Sequence, residues 1–369
     1  MIPSRLDGRG MRVAIAALAF VVWAGFTATH APQKAADFDV FWTAGRHAAA
    51  PYDPAIIAAL RARFHVGGQI PFAYPPTFLL FVWPFAQLPL ALAYPLWTGL
   101  SAALFFYAAA HLVRPAWLTL GLFIAPPVVL AIAPGQTSLI VGAAMIGGWL
   151  TLKDRPALAG ALFAVAACIK PQAMLLAPIV LWGHWRAMRW AAAAGFGLVL
   201  VSLVFGPDLW RQWPKALASF GHVATLTDRV NPSASMAGPW LAAPLAMLGA
   251  WLAWRWRDLT GLIAGGLCLT PYAHQYDLAP LAPIALSWLA DYRRQGYGRA
   301  AAGAALLAGL VATPLAGLLF VLGLAGMRLW PQPRPSGLAW RDAAPLPSDS
   351  SIRGDGREAG RTPAPVRPG

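Results

Sequence analysis

The sequence predicts an all-α, polytopic integral membrane protein of about nine to twelve transmembrane helices. Three observations predict it. Of the 369 residues, 58% are hydrophobic and 11% are charged, against about 25% charged in a soluble domain. Long apolar runs alternate with short turns that carry Arg clusters. Acids are scarce: thirteen Asp and one Glu, with only ten Asp in the first 330 residues. A soluble protein of this size needs more charge to cover its surface, which excludes an ordinary water-soluble enzyme. An acid inside a membrane protein is costly to bury and defaults to a functional candidate.

Length and position justify each element in turn. A helix that crosses the hydrocarbon core needs roughly 20 apolar residues. Runs of that kind occupy 12–29, 91–112, 117–133, 136–152, 190–205, 239–254, 259–273, 278–290 and 299–325. The first is not followed by an evident signal-peptidase site before the Asp37 region and reads as a retained helix. Two further runs, 75–89 and 156–182, differ in character. The second is broken at Lys170-Pro171 and predicts a hairpin of two short helices. Residues 30–74 form a first long loop with helical patterns at 38–49 and 54–66, split by Pro51-Tyr52-Asp53-Pro54. A second loop, 206–238, carries Trp210, Trp213, Phe220 and several basic residues, and reads as an amphipathic segment lying in the interface. Residues 1–330 are thus one membrane domain. The basic tail from 331 to 369, rich in Pro, Gly, Ser and Arg, is expected to be disordered and cytoplasmic.

The net charge of +14 is in other chains a mark of nucleic-acid binding. Here the cations sit in short clusters between apolar runs, so they orient the helices and attract anionic lipid. No nucleic-acid partner is expected. With Arg5/Arg9/Arg12, Lys153/Arg155, Arg186/Arg189, Arg255/Arg257 and Arg293/Arg294/Arg299 in the cytoplasm, the turns at 134–136, 170–171 and 272–277 and both long loops face outward. If Arg114 is also inside, an odd number of crossings separates it from Tyr74. Either 75–89 only dips into the membrane or 117–133 is not a single span.

The outward ends collect the unusual polar residues. These are Asp37 and Asp39, Tyr74-Pro75-Pro76, Gln136, Lys170 with Gln172, Asn231 with Ser233 and Ser235, and His274 with Asp277. They predict a polar site at the membrane–water boundary. No GxxxxGK[ST], GxGxxG, HExxH, CxxC or GxSxG occurs, so no nucleotide, metal or serine-hydrolase signature is present. Cys168 and Cys268 lie in apolar runs and read as small core residues. Each polar residue also has a plainer reading. Asp37 can cap a helix beginning near Phe38, and Asp39 can be its solvated neighbour. Lys170 can snorkel to the interface. Asp277 can cap a helix or pair with His274 or Lys170. Gln136 can cap a turn, Asp53 belongs to its Pro-rich turn, and Arg46, Arg61 and Arg63 read as solvated helix faces.

The ordered series Ala36-Asp37-Phe38-Asp39-Val40-Phe41-Trp42-Thr43-Ala44-Gly45-Arg46, Tyr52-Asp53, Tyr74-Pro75-Pro76, Gly135-Gln136-Thr137-Ser138-Leu139, Leu158-Ala159-Gly160, Lys170-Pro171-Gln172, Phe205-Gly206-Pro207 with Trp210, Pro271-Tyr272 and Tyr276-Asp277-Leu278 resembles glycosyltransferase family 87. The resemblance covers about residues 36–290. The chain departs from it at Ala273-His274-Gln275, where many relatives carry an acid or another polar residue.

The resemblance implies a membrane fold of GT-C type that takes a hexose, often mannose, from a polyprenyl-phosphate donor. The acceptor would be a glycolipid or glycan on the outer face of a bacterial plasma membrane. It implies an Asp base in the first loop, matching Asp37, with Asp39 as helper or alternative. It implies no cofactor; the lipid-linked sugar is the donor substrate. Chemistry agrees, since transfer needs one base for the acceptor hydroxyl and donors for the departing phosphate. Lys170 and His274 are the candidates for that phosphate; Tyr74, Gln136, Gln172 and Asp277 are the candidates for substrate contact. A transporter or flippase for a lipid-linked glycan is the rival. Its mark would be inverted repeats with paired broken helices, and no such repeat is evident.

Overall fold

Proline and close-packed small residues set the limits of the helices. The computed structural model describes residues 8–30, 36–63, 72–227, 239–270 and 274–290, and within them every regular element is helical. The expected span 299–325, the tail, Asn231, Ser233 and Ser235 lie outside the described residues. The chain is all-α, and three described helices are long and apolar enough to cross a membrane.

Helix α1 (Arg9–His30) is followed by α2 (Ala36–Arg46) and α3 (Pro54–Arg63). Pro54 opens α3, and the Asp53 carboxylate accepts from the Ala55 amide at 2.8 Å, as the Pro-Tyr-Asp-Pro turn predicts. A 3₁₀ turn, Pro76–Phe78, leads into α4 (Leu79–Ala86), and α5 (Leu90–Leu112) follows. The stretch from Pro76 to Ala86 spans roughly 16 Å at 1.5 Å per residue, half of the ~30 Å hydrocarbon core. So α5 is the single long helix between Tyr74 and Arg114, which satisfies the parity requirement.

The expected span 117–133 is not one helix. It is a nine-residue 3₁₀ segment, Ala116–Ile124, joined at Ala125 to α6 (Pro126–Ile132). Pro126 and Pro127 lack the amide hydrogens a continuous helix needs, so a new helix starts there. Next come α7 (Ser138–Thr151) and α8 (Pro156–Ile169). The break at Lys170-Pro171 appears as expected, followed by a 3₁₀ turn, Pro171–Met174, and the short α9 (Ala177–Val180). Helix α10 (Trp185–Ser202) ends in a 3₁₀ turn, Leu203–Phe205, before α11 (Leu209–Thr227). Helices α12 (Pro239–Trp256) and α13 (Leu259–Leu269) pack as a hairpin, then a 3₁₀ turn, Gln275–Leu278, enters α14 (Leu281–Ala290).

Small residues let the helices touch and reveal their directions. Thr27 of α1 and Thr98 of α5 share a 2.8 Å hydrogen bond, and Phe20 and Ala24 lie against Gly99. Gly160, near the start of α8, meets Ala187 and Ala191 near the start of α10, while Ala164 meets Gly195. These two helices therefore run parallel, and residues 170–184 must return across the thickness between them. This is the hairpin that the broken run predicts. Gly249 faces Gly265 and Cys268, while Gly261 faces Leu252, so α12 and α13 are antiparallel. Trp97 reaches Gly135 and Phe105 reaches Gly142, so α5 and α7 are parallel.

Followed through, these pairings gather residues 37–38, 72–78, 133–138, 168–170 and 274–278 at one end of the bundle. Arg114, Lys153, Arg155, Arg186, Arg189, Arg255 and Arg257 fall at the other. Helix α5 is central, with 56% of its apolar window buried, whereas α10 buries 6% and presents its apolar surface outward.

Candidate functional site

The site end is built on backbone contacts between distant segments. Helix α2 docks through its first turn: the Phe38 amide donates to the Pro134 carbonyl at 2.8 Å. That approach needs glycine at 135. Its φ is +77°, and a Cβ there would lie 2.5 Å from the Phe38 Cβ. Trp97 Nε1 donates to the Gly135 carbonyl at 2.8 Å, and the Tyr94 hydroxyl donates to the Ala133 carbonyl. Phe38, Phe41, Phe78 and Trp97 pack around this junction with ring centroids 5.1–6.5 Å apart.

The 72–78 segment is held from three sides. The Tyr52 hydroxyl donates to the Tyr74 carbonyl at 2.8 Å, Trp213 Nε1 of α11 donates to the Ala73 carbonyl at 3.0 Å, and the Thr77 hydroxyl donates to the Cys168 carbonyl at 2.7 Å. The last bond fixes this segment against the end of α8, immediately before Lys170.

On this frame a chain of polar side chains forms. The Tyr74 hydroxyl donates to Gln136 Oε1 at 3.2 Å and lies 3.2 Å from the Thr137 hydroxyl. The next residue, Ser138, donates to Asp277 Oδ1 at 2.7 Å. The Lys170 ammonium donates to the same carboxylate oxygen and lies 3.4 Å from the Ser138 hydroxyl. The two charged side chains are 10% and 17% exposed. Burial alone would raise the Asp277 carboxyl. The Lys170 charge and hydrogen bond, the His274 amide and the Ser138 hydroxyl outweigh it and hold the group below the usual carboxylate range. Burial also pushes the Tyr74 phenol far up. The Thr137 hydroxyl opposes that rise, and the charges of Asp37 and Asp277 add to it. Tyr74 therefore stays protonated, and its hydroxyl lies within electrostatic reach of both acids.

The sequence-predicted residues fall as follows. Tyr74, Gln136, Lys170 and Asp277 join in one network. Asp37 is half-buried at the start of α2, whereas Asp39 is fully buried in the core between Phe38 and Val40. Of its alternative readings, Asp277 takes two at once, as partner of Lys170 and as member of a capping box with His274. The His274 amide donates to Asp277 Oδ2 at 3.1 Å, and the His274 ring accepts from the Asp277 amide. The ring nitrogen that accepts carries no proton, so in a neutral imidazole the other nitrogen is the donor. The His274 ring also stacks on Tyr276 at 4.6 Å. Gln172 lines a pocket of about 50 Å³ between α7 and α13, together with Ser138, Lys170 and Asp277. Arg46 is engaged elsewhere, on the Ala86 carbonyl and over the Trp42 ring. The side chains of Arg61 and Arg63 lie outside the described residues.

Sequence reasoning passed over Thr137, Ser138 and Tyr276 as site residues. The signal was present, since all three lie in motifs carrying Gln136 or Asp277, but small hydroxyls at a helix start read as ordinary caps. Among the described residues no group of three or more His, Cys, Asp or Glu is arranged to hold a metal ion.

The depth of the network is readable from α5. Trp97, level with Gly135, lies seven residues into that helix, roughly 10 Å along its axis. The polar cluster is therefore recessed below the end of α5, the longest of the described helices. It combines a buried ammonium–carboxylate pair and several neutral donors, beside a pocket whose other walls are apolar except at Thr270.

The model of glycosyltransferase family 87 matches residues 72–271, more than half of the 369-residue chain. The match takes in Tyr74, Gln136, Lys170 and Gln172, while Asp37, Asp39, His274 and Asp277 lie outside it. No curated protein and no solved structure matches the chain.

Proposed function

We propose a specific reaction for a chain that belongs to glycosyltransferase family 87 and is therefore a membrane glycosyltransferase. It transfers a hexose, with mannose the first candidate, from a polyprenyl-phosphate donor to a glycolipid or glycan acceptor. The reaction takes place at the extracytoplasmic face of a bacterial plasma membrane.

The observation that carries this reading is the recessed polar network at the end of the bundle opposite the basic turns. A lipid-borne phosphate resides at such a depth while its isoprenoid tail stays among apolar helices. The positive-inside rule assigns the basic turns to the cytoplasm and so assigns the network to the outer face.

In this reading Asp37 takes the proton of the acceptor hydroxyl. The acceptor oxygen attacks the anomeric carbon of the donor sugar. The bond from that carbon to the phosphate oxygen breaks, and the polyprenyl phosphate leaves with the electron pair. Asp37 is preferred to Asp39 because it is half-buried and within reach of an incoming hydroxyl, while Asp39 is sealed in the core. The Lys170 ammonium and the His274 ring N–H receive the charge that develops on the leaving phosphate. Protonated Tyr74, with Gln136 and Gln172, offers hydrogen bonds to sugar hydroxyls.

The test is transfer by the purified protein from polyprenyl-phosphate hexoses. Asp37→Ala is expected to lower kcat by about 10²–10⁴-fold, the contribution of a positioned base. Full activity in that variant sinks the mechanism. Unchanged translocation of the lipid-linked sugar in vesicles, with no transfer by either form, would favour the flippase instead.

A further inference from the structure

Lysine is a flexible choice for gripping a phosphate. Its ammonium ends a four-carbon stem, and a stem of that length lets the charge reach for water. Lys170 does not do so here; its side chain is 10% exposed. Its partner is the more firmly held of the two. Asp277 takes the Ser138 hydroxyl on one oxygen and the His274 amide on the other. Neither bond involves Lys170. Ser138 is itself 2% exposed, at the first turn of α7, and Asp277 sits within the capped turn before α14. The carboxylate is thus a fixed point formed by two helix starts, and Lys170 leans on it.

We propose that Asp277 and Ser138 are positioning residues for Lys170. They hold its ammonium at the rim of the pocket between α7 and α13, aimed at the phosphate of the donor. The inference rests on the reading of Lys170 as phosphate ligand. An ammonium has three N–H donors. One goes to Asp277 and one points toward the Ser138 hydroxyl, which leaves the third for the pocket side. The Tyr276 ring, 5.3 Å from the Lys170 Nζ, provides an aromatic face on a further side of the ammonium. Beyond this polar rim the pocket is walled mainly by Val141, Met145, Ile263 and Leu267, with Thr270 the further polar residue. A phosphate at the rim would meet the ammonium in a setting with little water, where a charge-assisted hydrogen bond is strong. This changes the part played by Asp277, from touching the substrate to holding the group that does.

The competing view of the same contact is that Asp277 occupies the place of the phosphate and is displaced from Lys170 when the donor binds. Kinetics separate the two. For Ser138→Ala, the donor KM is expected to rise roughly tenfold, the effect of losing a hydrogen bond to a charged group. The acceptor KM should not move. For Asp277→Asn the donor KM should rise further.

A fall in donor KM in Asp277→Asn would overturn the proposal in favour of displacement. An unchanged donor KM in both variants, with a raised one in Lys170→Met, would overturn the positioning role and leave Lys170 as phosphate ligand. An unchanged donor KM in Lys170→Met would overturn both. Should Asp277→Asn not fold, Ser138→Ala decides alone, because it removes only a hydroxyl.

Discussion

The two ends of the helix bundle treat charge in opposite ways. At the recessed end, Lys170 and Asp277 are buried against one another, and the carboxylate is further bound by Ser138 and the His274 amide. At the other end, Lys153, Arg155, Arg186, Arg189, Arg255 and Arg257 are exposed, and Arg186 and Arg189 lie over the Trp185 ring. An exposed cation costs little and gains little. It can mark the side on which a helix rests without shaping what the protein does. A buried pair is costly unless completely satisfied, and removing one partner exposes that cost. A substitution should therefore be felt strongly at the recessed end and weakly at the other.

The largest effect is expected at the buried pair. Lys170→Met leaves the Asp277 carboxylate buried without its ammonium and should lower stability by about 3 kcal/mol or more. The double variant Lys170→Met with Asp277→Leu should recover most of that loss while transfer stays weakened. Chemical denaturation in detergent reads the first quantity and product formation the second. A single variant as stable as the parent would erase the contrast between the ends.

Next comes Gly135→Ala. The positive φ and the overlap with Phe38 should together lower stability by about 2 kcal/mol. Transfer should fall as well, because the same junction seats α2 and with it Asp37. A third expectation concerns acid. The Asp277 carboxyl is held below its ordinary value, so its stabilisation is complete above the unfolded value near pH 4 and is lost as pH falls through the folded value. Stability measured from neutral pH downward should therefore fall more steeply in the parent than in Asp277→Asn. The smallest effect belongs to the exposed end. Arg186→Gln with Arg189→Gln should change stability by no more than about 0.5 kcal/mol and leave transfer within about twofold. A large loss of transfer there would show that the two ends are coupled.

Much of this architecture was legible because its causes are local. Apolar length marked α1 and α5, and Lys170-Pro171 announced the break after α8. Scarcity of acids made Asp37 and Asp277 conspicuous. The 117–133 run misled because its mean hydropathy suits a span, whereas the backbone obeys Pro126 and Pro127 and divides in two. The burial of Asp39 beside the accessible Asp37 was hidden because two residues on one helix turn differ only in what packs against them. The choice of Lys170 over His274 as the ion-pair partner of Asp277 was equally hidden, since it depends on a contact across 107 positions. Ser138 became visible only through the same contact. Composition and spacing identify which groups are unusual; long-range packing decides which of them meet.

That 107-residue separation has a consequence for biosynthesis. Ribosomes add about 5–20 residues per second, so Lys170 enters the bilayer on the order of 5–20 s before Asp277 exists. In that interval its charge has no carboxylate to lean on and is best left near water, while the first loop already displays Asp37. A growing chain would carry Asp37 for most of translation with no Lys170–Asp277 pair beside it. The completed network would arrive late, when Asp277 reaches Ser138 and Lys170.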